Sequence, residues 1–347
     1  MLTDRQKKIM IAIVEGYTSS NYAEPIGSSA LAKHDDLNVS TATLRNEMAL
    51  LEELGYLEKT HTSSGRIPTE KGYRLYVDEL MNIDELEEEL TDQVEQYFEN
   101  SKLSTKDALE ALIKSIVDNK EFNYGSVMLK KTAYNSSIKK ISFVSLKKHR
   151  GIFIMVTDQG LVLHRETSIP EGLNVTSIEN TVEYLDEKLH DVLLNDFKNA
   201  KGLEFINDGF FDYISNGYAV LELCLRNIRK LVEDKHKIIG QFNILNHPDF
   251  ADLNLAQEYI ECLKNETIYQ IVEFDSGPLP VISSNNGNYI SIKLGSENNL
   301  PIMKKCACIT AYFESKNNTG AITIYGPLRM KYRHVISFLR CLVRNMK

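Results

Sequence analysis

The stretch from Ser40 to Arg74, "STATLRNEMALLEELGYLEKTHTSSGRIPTEKGYR", constrains the fold more than any other part of the chain. It reads as a capped helix that runs almost directly into two short strands. Ser40 carries the side-chain oxygen a helix start needs. Leu44, Met48, Leu51 and Leu54 then recur at i, i+4, i+7 and i+10, so they share one face. Gly55 is placed to close the helix. "YLEKTH", "TSSG" and "RIPT" follow as strand, turn and strand. A helix joined this tightly to a hairpin is the second half of a helix-turn-helix with a β-hairpin wing.

The residues upstream supply the first half. Thr3 or Asp4 caps a helix in which Ile9, Ala12, Ile13 and Tyr17 recur at helical spacing. After the loop "SSNYAEP", Pro25 fits a first helical turn or the position just before one, and "IGSSALAKH" predicts a short second helix with Ile26, Ala30 and Leu31 inward. "DDLNVS" is the turn.

The third helix turns Thr41, Ala42, Arg45, Asn46 and Ala49 away from its apolar stripe. Small residues permit close approach, a guanidinium pairs bidentately with guanine, and an amide does the same with adenine. The pair lies near the N-terminal end of the helix, where a recognition helix meets bases. In the wing, hydroxyls and backbone N–H groups at Ser63, Ser64 and Gly65 suit phosphates, and Arg66 is placed to reach a phosphate or the minor groove. The expected DNA-contacting set is therefore Thr41, Ala42, Thr43, Arg45 and Asn46 from the helix, with Lys59, His61, Thr62, Ser63, Ser64, Gly65 and Arg66 from the wing. The alternative is a solvated helix face and an ordinary polar hairpin.

Charge does not advertise a nucleic-acid partner. The 347-residue chain carries a formal net charge of −8, and residues 1–80 hold nine Lys or Arg against twelve Asp or Glu. Positive charge gathers only at Arg5, Lys7 and Lys8, and at Lys59, Arg66, Lys71 and Arg74 around the wing. An acidic DNA binder has weak non-specific affinity, so its hold must come from a few well-placed contacts.

The length predicts about two or three domains at roughly 150 residues each. Charged residues at 25% and hydrophobic ones at 43% fit a globular chain. No apolar run approaches the roughly 18 residues of a membrane helix, and "MLTDRQKK" lacks the apolar core of a signal peptide, so a cytoplasmic location is expected. The five cysteines are scattered, and Cys306 with Cys308 makes a C-x-C rather than a paired zinc signature, so they read as buried reduced thiols.

"PIGSSALAK" and "VSTATLRNEMALLEELGYLEKTHTSSGRIPTEKGYRLYVDEL" resemble, nearly position by position, the N-terminal domain of the heat-inducible transcription repressors called HrcA. The likeness runs from Leu2 to about Leu80. Thr41 stands where many members have proline, which loosens the first helical turn without removing a contact. The resemblance implies a homodimeric repressor on an inverted-repeat operator upstream of heat-shock genes, kept active by a GroE-type chaperonin. It also implies a GAF-like α/β domain interrupted by an inserted dimerising domain. "KLGSENNL" and "GAITIYGPLRMKYRHVISFL" resemble segments of that GAF-like domain, with Leu328 in place of threonine and Lys331 in place of an acid.

The rest of the chain fits that outline. "DELEEELTDQVEQYF" is an acidic helix with a stripe of Leu86, Leu90, Val94 and Tyr97, either a solvated linker or a dimer-forming helix. "STKDALEALIKSIVDN" is a helix with Leu109, Leu112, Ile113 and Ile116 inward. "YGSVMLK", "IKKISFVSL", "GIFIMVTD" and "GLVLHRETSI" read as one antiparallel meander; "NYISIKLG", "CACITAYF" and "GAITIYG" are further strands before a helix with Tyr332, Val335, Ile336, Leu339, Leu342 and Val343 inward.

The expected fold class is α+β multidomain: winged helix-turn-helix over 1–80, linker helix over 81–104, GAF-like domain over 105–170 and 263–347, inserted dimerising domain over 171–262. No phosphate loop, nucleophile elbow or H-E-x-x-H appears. Glu297, Asn298, Arg329, His247 and Asp249 are the candidates for chemistry; Glu297 with Arg329 is expected to be a pair that fixes the sheet, and His247 a loop residue. No catalysis, metal or cofactor is expected. A winged-helix regulator sensing a small molecule in the GAF-like domain is the alternative function.

Overall fold

The computed structural model describes residues 2–19, 24–34, 37, 39–59, 65–82, 92, 94–97, 105–119, 122–131, 136–146, 149–199, 216–272, 281–283, 289–314 and 319–345. The chain forms two compact units. One comprises Met1–Leu129, His236–Glu314 and Gly320–Lys347; the other comprises Lys130–Lys235 with Ser315–Thr319.

The first unit opens with α1 (Asp4–Ser19), α2 (Ser28–Leu31) and α3 (Thr41–Glu53), followed by β1 (Leu57–Lys59) and β2 (Arg66–Pro68). Thr3 caps α1, since the Gln6 N–H donates to its hydroxyl at 3.3 Å while the Thr3 N–H donates to the Gln6 side-chain Oε1 at 3.0 Å. Ile9, Ile13, Leu31, Leu44, Met48, Leu51 and Leu57 are buried together. The strands pair antiparallel, Leu57 with Pro68 and Lys59 with Arg66, which is the wing.

The second helix is shorter than its sequence predicts. Pro25 and Ile26 are extended, because the Ile26 backbone exchanges hydrogen bonds of 3.0 and 2.9 Å with Arg66. Ser28 turns inward and Ala30 outward. Leu54, expected in the core, is 48% exposed, since the helix ends just before it.

Beyond the wing come α4 (Glu70–Leu75), a wider π-type turn (Tyr76–Leu80) and α5 (Thr105–Val117). Leu86 and Leu90 of the expected linker helix lie outside the described residues; Val94 is buried and Tyr97 exposed. A six-stranded sheet completes this unit. Its strands β3 (Gly125–Lys131), β7 (Lys235–Ile239), β8 (Val281–Ser283), β9 (Tyr289–Leu294), β10 (Cys306–Glu314) and β11 (Thr319–Pro327) lie in the order β7-β3-β11-β10-β9-β8.

Side chains of β10 alternate between two cores. Ala307, Ile309 and Ala311 pack with Ile113 of α5 and with Val335, Ile336 and Leu339 of the last helix. Cys306, Cys308 and Tyr312 pack on the opposite side with Tyr259 and Cys262.

The second unit holds β4 (Ile138–Leu146), β5 (Arg150–Thr157) and β6 (Val162–Ser168), which pair as an antiparallel meander among themselves. They are covered by α6 (Val175–Leu189), α7 (Leu194–Asn199) and α8 (Gly217–Val232). The single meander expected from the sequence is thus divided: β3 joins the six-stranded sheet and the next three strands form their own. The compact insert spans 130–235, against the 171–262 expected from the run of helices. Residues 236–272 pack with the first unit, through α9 (Leu253–Lys264), and α10 (Tyr332–Arg344) closes the chain. All five cysteines are buried as free thiols.

Candidate nucleic-acid interface

The recognition face of α3 is built by its cap. The Ser40 hydroxyl accepts from the Thr43 N–H at 3.1 Å and lies 2.9 Å from the Thr43 hydroxyl, fixing the first turn in which Thr41 and Ala42 stand exposed. Arg45 and Asn46 are exposed one turn later, and Thr43 and Ala49 are half-buried beside them. Arg45 is oriented by α2, since its Nε donates to the Ser28 hydroxyl at 3.2 Å. Glu47 is held by α1: its carboxylate accepts from Gln6 at 3.0 Å and from Arg5 at 3.5 Å. Ser28, Gln6 and Glu47 were not singled out from the sequence, because each acts across helices with no local spacing to mark it.

The basic turn after the helix is a different matter. Lys59 is exposed, as a phosphate contact requires, and His61, Thr62, Ser63 and Ser64 lie outside the described residues. Gly65 is buried, not displayed at a tip: a Cβ there would stand 2.7 Å from the Pro25 carbonyl oxygen. The Arg66 Nε donates to the Glu52 carboxylate at 2.7 Å, and its side chain is only 13% exposed. Arg66 therefore ties the wing to the end of α3, where the sequence had suggested a free cation.

Lys71 and Arg74 are also taken up by neighbouring groups. The Lys71 ammonium donates to the Leu54 carbonyl at 2.7 Å and lies 4.4 Å from the centre of the Tyr56 ring. Arg74 donates through Nε to Glu297 at 3.0 Å, through Nη1 to Asp78 at 3.1 Å and through Nη2 to the Ile292 carbonyl at 2.9 Å, with a second bond from Nη2 to Glu297. Burial alone would ease its deprotonation, but the hydrogen bond and charge of Glu297, then of Asp78, outweigh that and hold the guanidinium charged.

Glu297 and Arg329 are not each other's partner as expected. Glu297 takes Arg74, while the Arg329 Nε stands 3.3 Å from both Asp249 oxygens. The Arg329 guanidinium also lies over the Tyr17 ring at 6.0 Å. His247 is a buried loop residue whose Nδ1 accepts from the Asp249 N–H at 3.2 Å. Burial holds its pKa down at about 4 against the pull of Asp249, and Arg329 adds to the lowering. Among the described residues no three His, Cys, Asp or Glu side chains gather as a metal site, and no helix is long and apolar enough to cross a membrane.

The geometry thus presents one exposed helical face with a guanidinium and an amide, beside a small wing. Comparison with known proteins agrees with that outline. The family model described as a winged helix-turn-helix transcription repressor, HrcA DNA-binding, matches residues 1–81, and the one described as the HrcA protein C terminal domain matches residues 119–336. A heat-inducible transcription repressor HrcA of Brevibacillus brevis is 33% identical over 347 residues, covering 100% of this chain and 97% of its own length. The protein of the same name from Listeria welshimeri is 31% identical over 350 residues, covering 100% and 96%. A crystal structure described only as a hypothetical protein has a TM-score of 0.55 at 20% identity, covering 99% of this chain and 97% of its own, which supports the fold alone.

Proposed function

Because this chain belongs to the HrcA family of heat-inducible transcription repressors, a family of DNA-binding regulators rather than enzymes, we propose that it acts in the cytoplasm as a homodimer on an inverted-repeat operator of chaperone genes. The observation that carries this reading is the pairing of Arg45 and Asn46 on the exposed face of the capped helix α3. Each dimer places one α3 in each half-site, as two-fold symmetry matches an inverted repeat. Arg45 and Asn46 read bases, with Thr41, Ala42 and Thr43 at the helix start close to the groove. Lys59 and, between the two wing strands in sequence, His61 to Ser64 meet the phosphate backbone.

The insert joins the two chains. Supporting this, the sheet of the second unit buries Ile141, Phe153 and Met155 against its helices, while its other face carries an apolar strip that the described helices leave uncovered. There an apolar strip, in which Val144 stands opposite Ile152 and Val156 opposite Val162, is bordered by the polar Lys140, His164 and Glu166. Val144 is 46% and Val162 57% exposed. Exposed apolar faces of this kind mark protein interfaces. Light scattering on the full chain should give a dimer, and the Val144→Glu, Ile154→Glu double variant a monomer; a dimeric variant would move the interface elsewhere.

A GroE-type chaperonin keeps the repressor folded, and its diversion to unfolded proteins on heating releases the operon. In vitro transcription from a chaperone-operon promoter should fall when the chain is added at growth temperature. It should recover after heating unless chaperonin is supplied. Undiminished transcription at every temperature would overturn the proposal.

A further inference from the structure

Within the first unit, α4 is joined rigidly to both the wing and the end of α3. The Thr69 N–H donates to the Tyr56 carbonyl at 3.1 Å, and its hydroxyl to the Gly55 carbonyl at 2.7 Å. Lys71 closes the same joint on Leu54. Any rotation of α4 therefore carries the recognition helix with it.

The other side of α4 is fixed to the loop after β9. Glu70 accepts from the Ser296 N–H at 3.1 Å and from its hydroxyl at 2.7 Å. Gly295, at φ +48°, lies so close under Glu70 that a Cβ would stand 2.2 Å from its carboxyl carbon. Glu297 accepts both Arg74 bonds and also the Leu294 N–H at 2.8 Å, so the loop is braced from within. A second brace joins Arg333 of α10 to Glu15 of α1 at 3.3 Å, and Tyr76 donates to the same carboxylate at 3.1 Å.

Half-buried ion pairs add little net stability, because desolvation offsets the attraction. What a planar guanidinium bound bidentately does supply is a fixed orientation. Apolar contact such as that of the Tyr73 and Tyr332 rings, 5.8 Å apart, holds α4 to α10 without setting an angle.

We infer that Arg74 and Glu297 are positioning residues that set the half-site spacing this repressor accepts. The inference rests on the proposed reading of a dimer on an inverted repeat. Within the first unit, this junction fixes the recognition helix on the six-stranded sheet. A helix held at one angle suits one separation and phase of half-sites; a loosened one accepts several. Arg74 and Glu297 are engaged with each other and not with the exposed face of α3, so recognition of a single half-site does not depend on them.

The test is selection of duplexes from a random-sequence pool by the full-length chain, by Arg74→Ala and by Glu297→Gln. The selected half-sites are then titrated at the selected spacing and with about five base pairs inserted, which turns one half-site by about half a helical turn. The wild type should prefer its own spacing by about tenfold or more, and both variants should select the same half-site with that preference reduced to about threefold or less. A variant pair that keeps the wild-type preference overturns the inference. So does loss of the half-site motif itself in both variants, since the junction would then belong to the fold of the winged helix. A wild type that selects no paired half-sites refutes the dimeric-repressor reading, and the inference falls with it.

Discussion

Arg45 differs from the other cations of the wing and its flanking helices in what holds it. Its Nε is taken by Ser28 while the rest of the side chain stays exposed, so the guanidinium is oriented without being neutralised. Arg45→Ala or Asn46→Ala should cost about 1–3 kcal/mol on operator DNA and relax specificity, as removal of a base-reading group does. Equal loss on random DNA, measured by titration at fixed salt, would contradict base reading. Arg66→Ala should leave the salt dependence of binding unchanged, because Glu52 already neutralises that charge; a flatter salt slope would show that Arg66 meets phosphate. His247 makes a pH prediction. Its pKa is lowered from 6.5 to about 4, so the unfolded chain binds the proton more tightly. Its contribution to stability is complete above pH 6.5 and is lost as the pH falls toward about 4. Urea unfolding of His247→Gln should show a shallower pH slope in that window, and an unchanged slope would remove His247 as the cause. The exposed pair Arg45 and Asn46 was legible in the sequence because helical periodicity fixes which face a residue occupies. The fates of Arg66 and Arg74 were not, since Glu52 and Glu297 lie 14 and 223 residues away, and only Asp78, four residues after Arg74, is a local partner.

Among the elements, α4 depends on a close approach that only glycine allows. A Cβ on Gly72 would lie 2.2 Å from the Tyr56 carbonyl oxygen, a backbone atom that cannot swing aside. Gly72→Ala should therefore destabilise the chain by about 1–3 kcal/mol, the usual cost of overpacking. A neutral result in urea unfolding would mean that α4 is not seated as described. Strand and helix identities were largely readable: the three-residue wing strands, the stripe of α10 and the alternation of β10 follow directly from period and cap. Sheet membership was not. Alternation says that β3 and β4 are strands, but it does not name a partner, and β3 pairs with strands far along the chain while β4 pairs with the next one. Likewise the helical run 171–262 marked an insert, yet the division falls at 130, within β3, and at 235, where α8 has given way to β7.

At the scale of the whole molecule, the cysteines report on both compact units. Cys224 lies in the insert, and Cys262, Cys306, Cys308 and Cys341 in the other unit, all buried. Burial pushes the Cys224 and Cys308 thiols up to about 12, so at neutral pH they are neither accessible nor ionised. A thiol-reactive disulfide reagent should leave the native chain unmodified and label it on thermal unfolding, and rapid labelling of the folded chain would contradict the packing. An acidic chain that binds DNA through a few contacts on α3 must bind it sequence-specifically. The decisive measurement titrates the purified protein, at fixed salt and with chaperonin present, against a chaperone-operon duplex carrying an inverted repeat and a scrambled copy. A preference of about a thousandfold or more for the intact repeat is the predicted result; equal affinity for the two duplexes would contradict it.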